Sequence, residues 1–473
     1  MSTTLYNQFI ADFPRYASTH SLDTLRALDF PDNGDIYLDY TGGGRYGLSQ
    51  LQAHNTLLQS HIFGNPHSDN PTSRRSTEWA DRARNAVLRF FNASPNEYCV
   101  IFTANASGAL RLVGESYPFT THSTYLQLTD NHNSVNGMRE FARTKHARIQ
   151  LVPVQKTDLR AKTANIATAL ADHSDAPNLF AYPAQSNFSG VQHPLSWIAD
   201  AHAQGWDVML DAAAFAPTNQ LDLSKYKPDF VALSFYKMFG WPSGVGCLIA
   251  KKDRLAALSR PWFAGGSIWA ASAQGDWYIP AALHEGFEDG TINYLNLPAV
   301  IIGLDYIAKA NLATIHDRTT SLTGWLLQQM AKLTHSNGAP VIEVYGPTNT
   351  KNRGGTIAFN FLDPSGRIVD ERIVEKAANS KKISLRTGCF CNPGAGETAF
   401  ALPLKKLQAG LSEGRLQTYD PYLAAIGLQS AGAIRISVGL ASNFADVQAF
   451  MALARQFIDF IPSAKGLPPR THC

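Results

Sequence analysis

Residues 207–250, DVMLDAAAFAPTNQLDLSKYKPDFVALSFYKMFGWPSGVGCLIA, constrain this chain more than any other stretch. DVMLDA is an apolar run closed by Asp211, DFVALSF is a second that leads through Ser234 to Lys237, and GVGCLIA is a third, entered through Pro242 and two glycines. Short apolar runs bounded by turn residues predict buried strands. Three adjacent strand ends then deliver an acid, a hydroxyl and an amine to one place. That set suits pyridoxal phosphate, whose aldehyde needs a Schiff-base lysine and whose ring nitrogen needs an acidic partner that keeps it protonated. The bland alternative is a solvated loop lysine and an aspartate that merely caps a turn. Against it stands SFYKMFGWPSGVG, whose aromatics flank Lys237 and whose Pro-Ser-Gly turn suits a tight wall around a planar ligand better than a surface loop.

The chain has 473 residues, 45% of them hydrophobic and 17% charged, which predicts either two domains or one large α/β unit with a satellite. A net charge of +3 with no long basic run gives nucleic-acid binding no support. No stretch of about 18 apolar residues occurs and the amino terminus lacks a basic region followed by an apolar core, so the expectation is a cytoplasmic protein with no membrane partner. Five cysteines, an odd and sparse number, argue against a disulfide framework. Cys99 and Cys247 sit in apolar strand-like runs and read as inert core, Cys473 ends the chain, and Cys389 and Cys391 share a glycine-flanked polar loop.

In chain order, residues 1–35 read as a helical lead-in that packs on the smaller domain. DIYLDYTGGG gives a short strand over 36–38 that runs into Gly42, Gly43 and Gly44, which either let backbone approach a ligand or form a plain turn. The segment NPHSDNPTSRRSTEWADRARNAVLRFFNA predicts a polar loop and then a long amphipathic helix capped by Ser76 or Thr77. CVIFTANASGALRLVGES is a strand, a small-residue turn and a helix, and such a helix start, with Ala106 and Ser107, suits a phosphate. His132 follows the next strand, either as a solvated cap or as a group that stacks on a cofactor ring and moves protons. Gln185 and Asn187 follow another strand, with a helix of about ten residues from 194. This rhythm of strand, loop and helix predicts a largely parallel sheet with its ligand beyond the strands' carboxyl ends. Thr291, in a DGT turn, is a further phosphate donor; helices are expected over 297–310 and 317–333, then strands in GGTIAFNF, KISLRTG and AIRISVG and a final amphipathic helix. The expected division is a lead-in at 1–35, a large cofactor domain at 36–310 and a small α/β domain at 311–473.

LRTGCFCNPGAGE places Arg386, Cys389 and Cys391 in one turn. Structural zinc needs four ligands and no second cysteine pair exists, so no metal is expected; a reactive thiol needs a neighbouring cation or helix terminus, and Arg386 is the candidate neighbour. Arg435 lies inside the apolar strand AIRISVG, costly unless it binds an anion such as an α-carboxylate or forms a buried ion pair.

Ten pieces in register, YLDYTGGG, NPHS, FTANASGAL, LTDNHNSVNGMR, SNFSG, LDAAA, SFYKMFGWPSGVG, GFEDGTI, RTGCFCNPGA and IRISVG, resemble the class V aminotransferase group of fold-type I pyridoxal-phosphate enzymes. Within that group they are most similar to cysteine desulfurases, and among these to the desulfurase domain of molybdenum cofactor sulfurases. The resemblance implies a fold-type I transferase, α/β, with a mainly parallel sheet. It implies Lys237 as the Schiff-base lysine, Asp211 as the ring-nitrogen partner, His132 as the stacking histidine and Asn187 as a polar contact to cofactor and substrate. Ala106, Ser107 and Ser234 match phosphate-binding positions, as does Thr291, which in the family reaches across a homodimer interface. Cys391 matches the cysteine that takes sulfur as a persulfide, Arg435 the arginine for the substrate carboxylate, and Cys389 a place where other desulfurases have a non-cysteine residue. Tyr236 stands where many bacterial desulfurases carry histidine and agrees with the sulfurase subgroup. Eukaryotic sulfurases carry a further carboxyl-terminal domain beyond the matching region, so delivery to molybdenum cofactor is one expectation and another acceptor or a separate partner chain is the other. The expected activity is removal of sulfur from L-cysteine with release of alanine; the alternatives are a C–S lyase, epimerase or aldolase of the same class, or a non-catalytic persulfide carrier.

Overall fold

The computed structural model describes residues 3–409, 418–428, 430, 432–463 and 467–470; Cys473 lies outside them. Its larger sheet has seven strands in the order Tyr98–Thr103, Gly246–Lys251, Phe230–Ser234, Asp207–Asp211, Leu179–Pro183, Thr124–Leu128 and Arg148–Val152. All neighbours are parallel except Gly246–Lys251, which runs antiparallel to both of its neighbours. That one reversal brings the start of Gly246–Lys251 to the same edge as the ends of Phe230–Ser234 and Asp207–Asp211. Strand sequences such as FVALS and LFAYP are buried throughout, as a sheet covered on both faces requires. Cys99 and Cys247 are buried there, and burial pushes both thiols above the ordinary cysteine value.

A second sheet of four antiparallel strands, ordered Ile342–Tyr345, Thr356–Phe361, Ala433–Ser437 and Arg386–Gly388, carries the arginine strand and the cysteine loop. Its core takes in Phe9, Tyr16 and Leu38 from the amino terminus together with Trp325, Phe359, Ile436 and Phe450. The connection between the two regions is helical, Leu297–Ala310 and then Leu312–Ala331, with Asn311 capping the second helix from the left-handed region (φ 66°). The second helix therefore begins five residues before the expected 317.

Two further boundaries differ from the expectation. The long amphipathic helix runs Pro71–Phe90, capped by Asn70, whose side chain accepts from Ser73 N at 3.0 Å, so Ser76 and Thr77 lie inside it. Pro71 supplies the fixed φ of a first helical position and Asn70 the acceptor, a stronger start than a hydroxyl further on. The helix expected from 194 is shorter and later, Trp197–His202, because Pro194 belongs to the turn that leads into it.

The glycine run serves packing against the lysine turn. Gly44 N donates to Tyr236 O at 2.9 Å, and a Cβ at Gly44 would stand 3.0 Å from Lys237 O. Gly240, at φ 79°, ends the lysine helix where a Cβ would meet the Arg45 backbone at 2.4 Å.

Candidate active site

Lys237 sits on the short helix Phe235–Phe239 directly after the strand Phe230–Ser234. It shares a cavity of about 130 Å³ with Ala106, Ser107, His132, Asn187, Asp211 and Ser234. One enclosed space at the carboxyl edge of the parallel strands thus gathers seven of the ten expected site residues. The Lys237 residue is partly buried, and its side chain has no ion pair among the described residues. Burial lowers its ammonium pKa, Asp211 pulls it back up, and Arg435 and Arg386 reinforce the lowering. A lysine made less basic in this way is a better nucleophile at neutral pH.

Asp211 closes its strand and accepts from Ala213 N at 3.0 Å, so the carboxylate is fixed by its own turn. His132 caps a short helix: its Nδ1 accepts from Ser134 N at 3.1 Å. An Nδ1 that accepts leaves the ring proton on Nε2. Burial also lowers the His132 pKa, with Asp211 opposing, which keeps the imidazole neutral.

The other end of the cavity is built for an anion. The helix Ala106–Ser116 starts there; Ala106 N donates to Ser234 Oγ at 2.8 Å and Gly108 N to Asn105 Oδ1 at 3.0 Å. The N–H of Ser107 has no protein acceptor among the described residues, and its hydroxyl meets Ser134 Oγ at 2.6 Å. Pyridoxal phosphate fits this donor set, since the cavity offers an amine and a carboxylate for its ring and a free helix N–H with two hydroxyls for its phosphate. Thr291 is not among the residues around Lys237. It stands beside Asn65 Nδ2 at 3.5 Å and lines a separate cavity of about 360 Å³ with Thr103, Gly108 and Gly244.

Arg435 is almost fully buried. Its Nη2 donates to Asp39 Oδ1 at 3.0 Å and its Nη1 to Asn187 O at 3.0 Å, while Nε has no partner among the described residues. Arg386, directly opposite it in the sheet register, holds the other oxygen of Asp39 through Nε at 3.0 Å and Nη2 at 2.7 Å. The structure shows the ion-pair reading of Arg435: two guanidinium groups share one carboxylate and retain one surplus positive charge. The bond to Asp39 raises the Arg386 pKa, with a lesser contribution from Cys391, so Arg386 is engaged chiefly by Asp39.

Cys391 is exposed and free, whereas Cys389 is disulfide-bonded, which the odd, sparse cysteine count did not lead one to expect. The backbone around Cys391 is tied to the large sheet. Asn133 N donates to Cys391 O at 2.6 Å and Asn187 Nδ2 to Phe390 O at 2.7 Å. The Asn187 amide thus spends one hydrogen on the cysteine loop and keeps the second. Asp39, Ser134, Asp130 and Asn392 belong to this neighbourhood and were missed in the sequence. Asp39 alone carried a legible signal, an acid that closes an apolar run just before three glycines, as Asp211 closes its own.

A mainly parallel sheet with a lysine and an aspartate at adjacent strand ends and a helix start beside them is the architecture of the fold-type I pyridoxal-phosphate transferases. Residues 36–450 match the aminotransferase class-V family, and the chain belongs to that family. It is 37% identical over 454 residues to the molybdenum cofactor sulfurase of Bos taurus, covering 91% of this chain and 51% of that one. With the molybdenum cofactor sulfurase of Solanum lycopersicum the identity is 35% over 492 residues, covering 96% of this chain and 59% of the relative. The chain therefore spans only about half the length of such relatives. Among solved structures, an apo cysteine desulfurase from Thermococcus onnurineus NA1 superposes with a TM-score of 0.76 at 20% identity, covering 92% of this chain and 98% of that one. The cystine C–S lyase C-DES in complex with cysteine persulfide superposes at 0.67 and 18% identity, covering 90% and 98%.

Proposed function

We propose that this chain is a pyridoxal-phosphate-dependent cysteine desulfurase of the molybdenum cofactor sulfurase type, which takes sulfur from L-cysteine as a persulfide on Cys391 and releases alanine. The observation that carries the reading is the placement of a free thiol, Cys391, on a loop hydrogen-bonded to the rim of the Lys237 cavity, close enough to act electrostatically on Lys237, Arg386 and Arg435. Transamination, epimerisation and aldol cleavage have no use for such a thiol. The names of the relatives support the same reading, as does a solved structure of C-DES with glycine covalently linked to its pyridoxal-phosphate cofactor.

In this reading Lys237 would hold the cofactor, Asp211 would keep its ring nitrogen protonated and His132 would stack on the ring; Ser107 N–H and the Ser107 and Ser234 hydroxyls would take the phosphate, with Ala106 N–H holding Ser234 Oγ in place. Bound cofactor supplies an electron sink conjugated with the substrate's amino group. Arg435 takes the L-cysteine carboxylate with the charge that Asp39 leaves unbalanced, and the second amide hydrogen of Asn187 orients cofactor and substrate. The Lys237 amine would serve as the base at Cα, with neutral His132 as the alternative proton carrier. The Cys391 thiolate attacks the substrate sulfur; the new S–S bond forms as the Cβ–S bond breaks, and the electron pair left on Cβ takes up a proton. Substrate cysteine and enzyme thiol become alanine and enzyme persulfide, with no outside oxidant or reductant. The sulfur acceptor, a protein or molybdenum cofactor, then restores the thiol. Incubation of the loaded enzyme with L-cysteine and a reducing acceptor tests the assignment: alanine is expected as the organic product, and pyruvate with ammonia would assign a C–S lyase instead.

The proposed assembly is a homodimer. Thr291 lies outside its own chain's lysine cavity, and the nearby hairpin Ile268–Ser272 and Trp277–Pro280 exposes Trp269, Trp277 and Ile279, apolar area that a second copy would cover. Sedimentation of the holoenzyme should give twice the chain mass, and Thr291→Ala should weaken cofactor retention. A fully active monomer at micromolar concentration would exclude the dimer.

A further inference from the structure

The thiol loop turns sharply between the strand Arg386–Gly388 and the helix Pro393–Ala399. Phe390 and Cys391 both stand at φ 54°, in the left-handed region that residues with side chains avoid, and Gly388 stands at φ 111°. Two successive residues in that region persist only when their surroundings over-determine them. Here the surroundings are the fully buried carboxamide of Asn392, the residue after the thiol. Its Oδ1 accepts from Ala395 N at 3.2 Å as a helix cap, and its Nδ2 donates to Asp130 Oδ1 at 2.9 Å and to Asn187 Oδ1 at 3.0 Å. Asp130 is fully buried as well, and Ser186 Oγ at 2.7 Å and His193 Nε2 at 3.3 Å hold it in place. The cap alone needs only an acceptor. The two donated bonds reach across to loops that follow the large-sheet strands Thr124–Leu128 and Leu179–Pro183, the same loops that carry His132 and Asn187.

We propose that Asn392 is a positioning residue for the sulfur-transfer step: through Asp130 and Asn187 it holds the Cys391 loop of the small domain in register with the cofactor cavity of the large one. The proposal rests on Cys391 as the sulfur-accepting thiol. Asparagine is required because Asp130 offers a carboxylate and Asn187 a carbonyl oxygen, so the side chain must give two donors to this side and one acceptor to the helix. Aspartate has the same shape and keeps the cap, yet it loses both donors and sets one carboxylate against another. Lys237, Asp211 and the Ala106–Ser116 helix stand on the large domain and do not touch Asn392. Release of the clamp therefore displaces the thiol and frees Asn187 Oδ1, while the lysine, the aspartate and the helix start stay in place. Displacement of a reacting group by about 1 Å costs on the order of a hundredfold in rate.

The test is Asn392→Asp in the holoenzyme, read by the visible cofactor band, by kcat and KM for L-cysteine, and by persulfide formed in a single turnover. The expected result is an unchanged band, KM within about threefold of the parent, and kcat and persulfide formation lowered by tenfold or more. Asp130→Asn combined with Asn392→Asp exchanges donor and carboxylate across the same contact and should recover part of the loss. Parent-like turnover in Asn392→Asp overturns the proposal, as does a parallel loss of the cofactor band, which would mark Asn392 as a general fold anchor. Should Asn392→Asp fail to fold, Asn392→Ser, which keeps a cap and adds no charge, is read by the same criteria. Cys391→Ala is measured alongside: an active Cys391→Ala enzyme removes the underlying reading, whereas an inactive one beside a parent-like Asn392→Asp removes only the clamp.

Discussion

Lys237→Ala is expected to lose the visible band of lysine-bound pyridoxal phosphate and to lower alanine release from L-cysteine by about 10³-fold or more, the range that loss of a positioned base commands. The reason is placement. Lys237 lines the cavity together with Asp211 and the start of the Ala106–Ser116 helix, and no second lysine among the described residues lines it. Burial lowers the Lys237 pKa below the ordinary lysine value, so at neutral pH a larger share is free amine than in a solvated lysine. The rate at which apoenzyme takes up the cofactor should therefore rise with pH through a midpoint below that of free lysine, and then level off. His132 adds a second dependence of the same sign. Burial lowers its pKa too, so neutral imidazole persists to lower pH than in a solvated histidine, and activity that needs it falls only once the pH drops through that lowered value. A Lys237→Ala protein that kept the band would assign the amine to another residue.

The second large effect separates the two loop cysteines. Cys391→Ala should retain the cofactor and bind L-cysteine, because among the described residues the thiol makes no hydrogen bond to Asp211, Lys237 or Arg435 and acts on the two cations only as a minor charge. Alanine release should fall by about 10³-fold, since the acceptor of the sulfur is gone while the groups that bind substrate remain. Cys389→Ala should retain substantial turnover. Cys389 is disulfide-bonded in the structure and Cys391 is the exposed free thiol of the two, and the register counted from Arg386 through the glycine is what the two variants test. Alanine assays of both variants beside the parent check this. An active Cys391→Ala and a dead Cys389→Ala would invert the register, and activity in both would move the chain to the lyase or aldolase reading.

The parts of the site that lay open in the sequence are those whose signal is local. An acid or a lysine at the end of a short apolar run reports a strand end, and adjacent strand ends in a parallel sheet share one edge, so Asp211, Ser234 and Lys237 were legible as a set. The start of the Ala106–Ser116 helix was legible for the same reason. Asn392 was not, and Asp39 was legible only as an acid that closes an apolar run, because the roles of both are fixed by partners far along the chain. Asp39 meets Arg386 and Arg435, and Asn392 meets Asp130 and Asn187, so each role exists only after the two sheets have packed. Arg435 looked costly in an apolar strand because its counter-charge comes from residue 39. The helix start at Asn70 was missed by weighing hydroxyl caps above an asparagine followed by proline.

The most direct test of the account is the mass of the Cys391 peptide after the holoenzyme has met one equivalent of L-cysteine without an acceptor. A peptide heavier by one sulfur atom at Cys391, matched by an equal amount of alanine and absent from Lys237→Ala, is the predicted result. Alanine or pyruvate formed with Cys391 unmodified would contradict it.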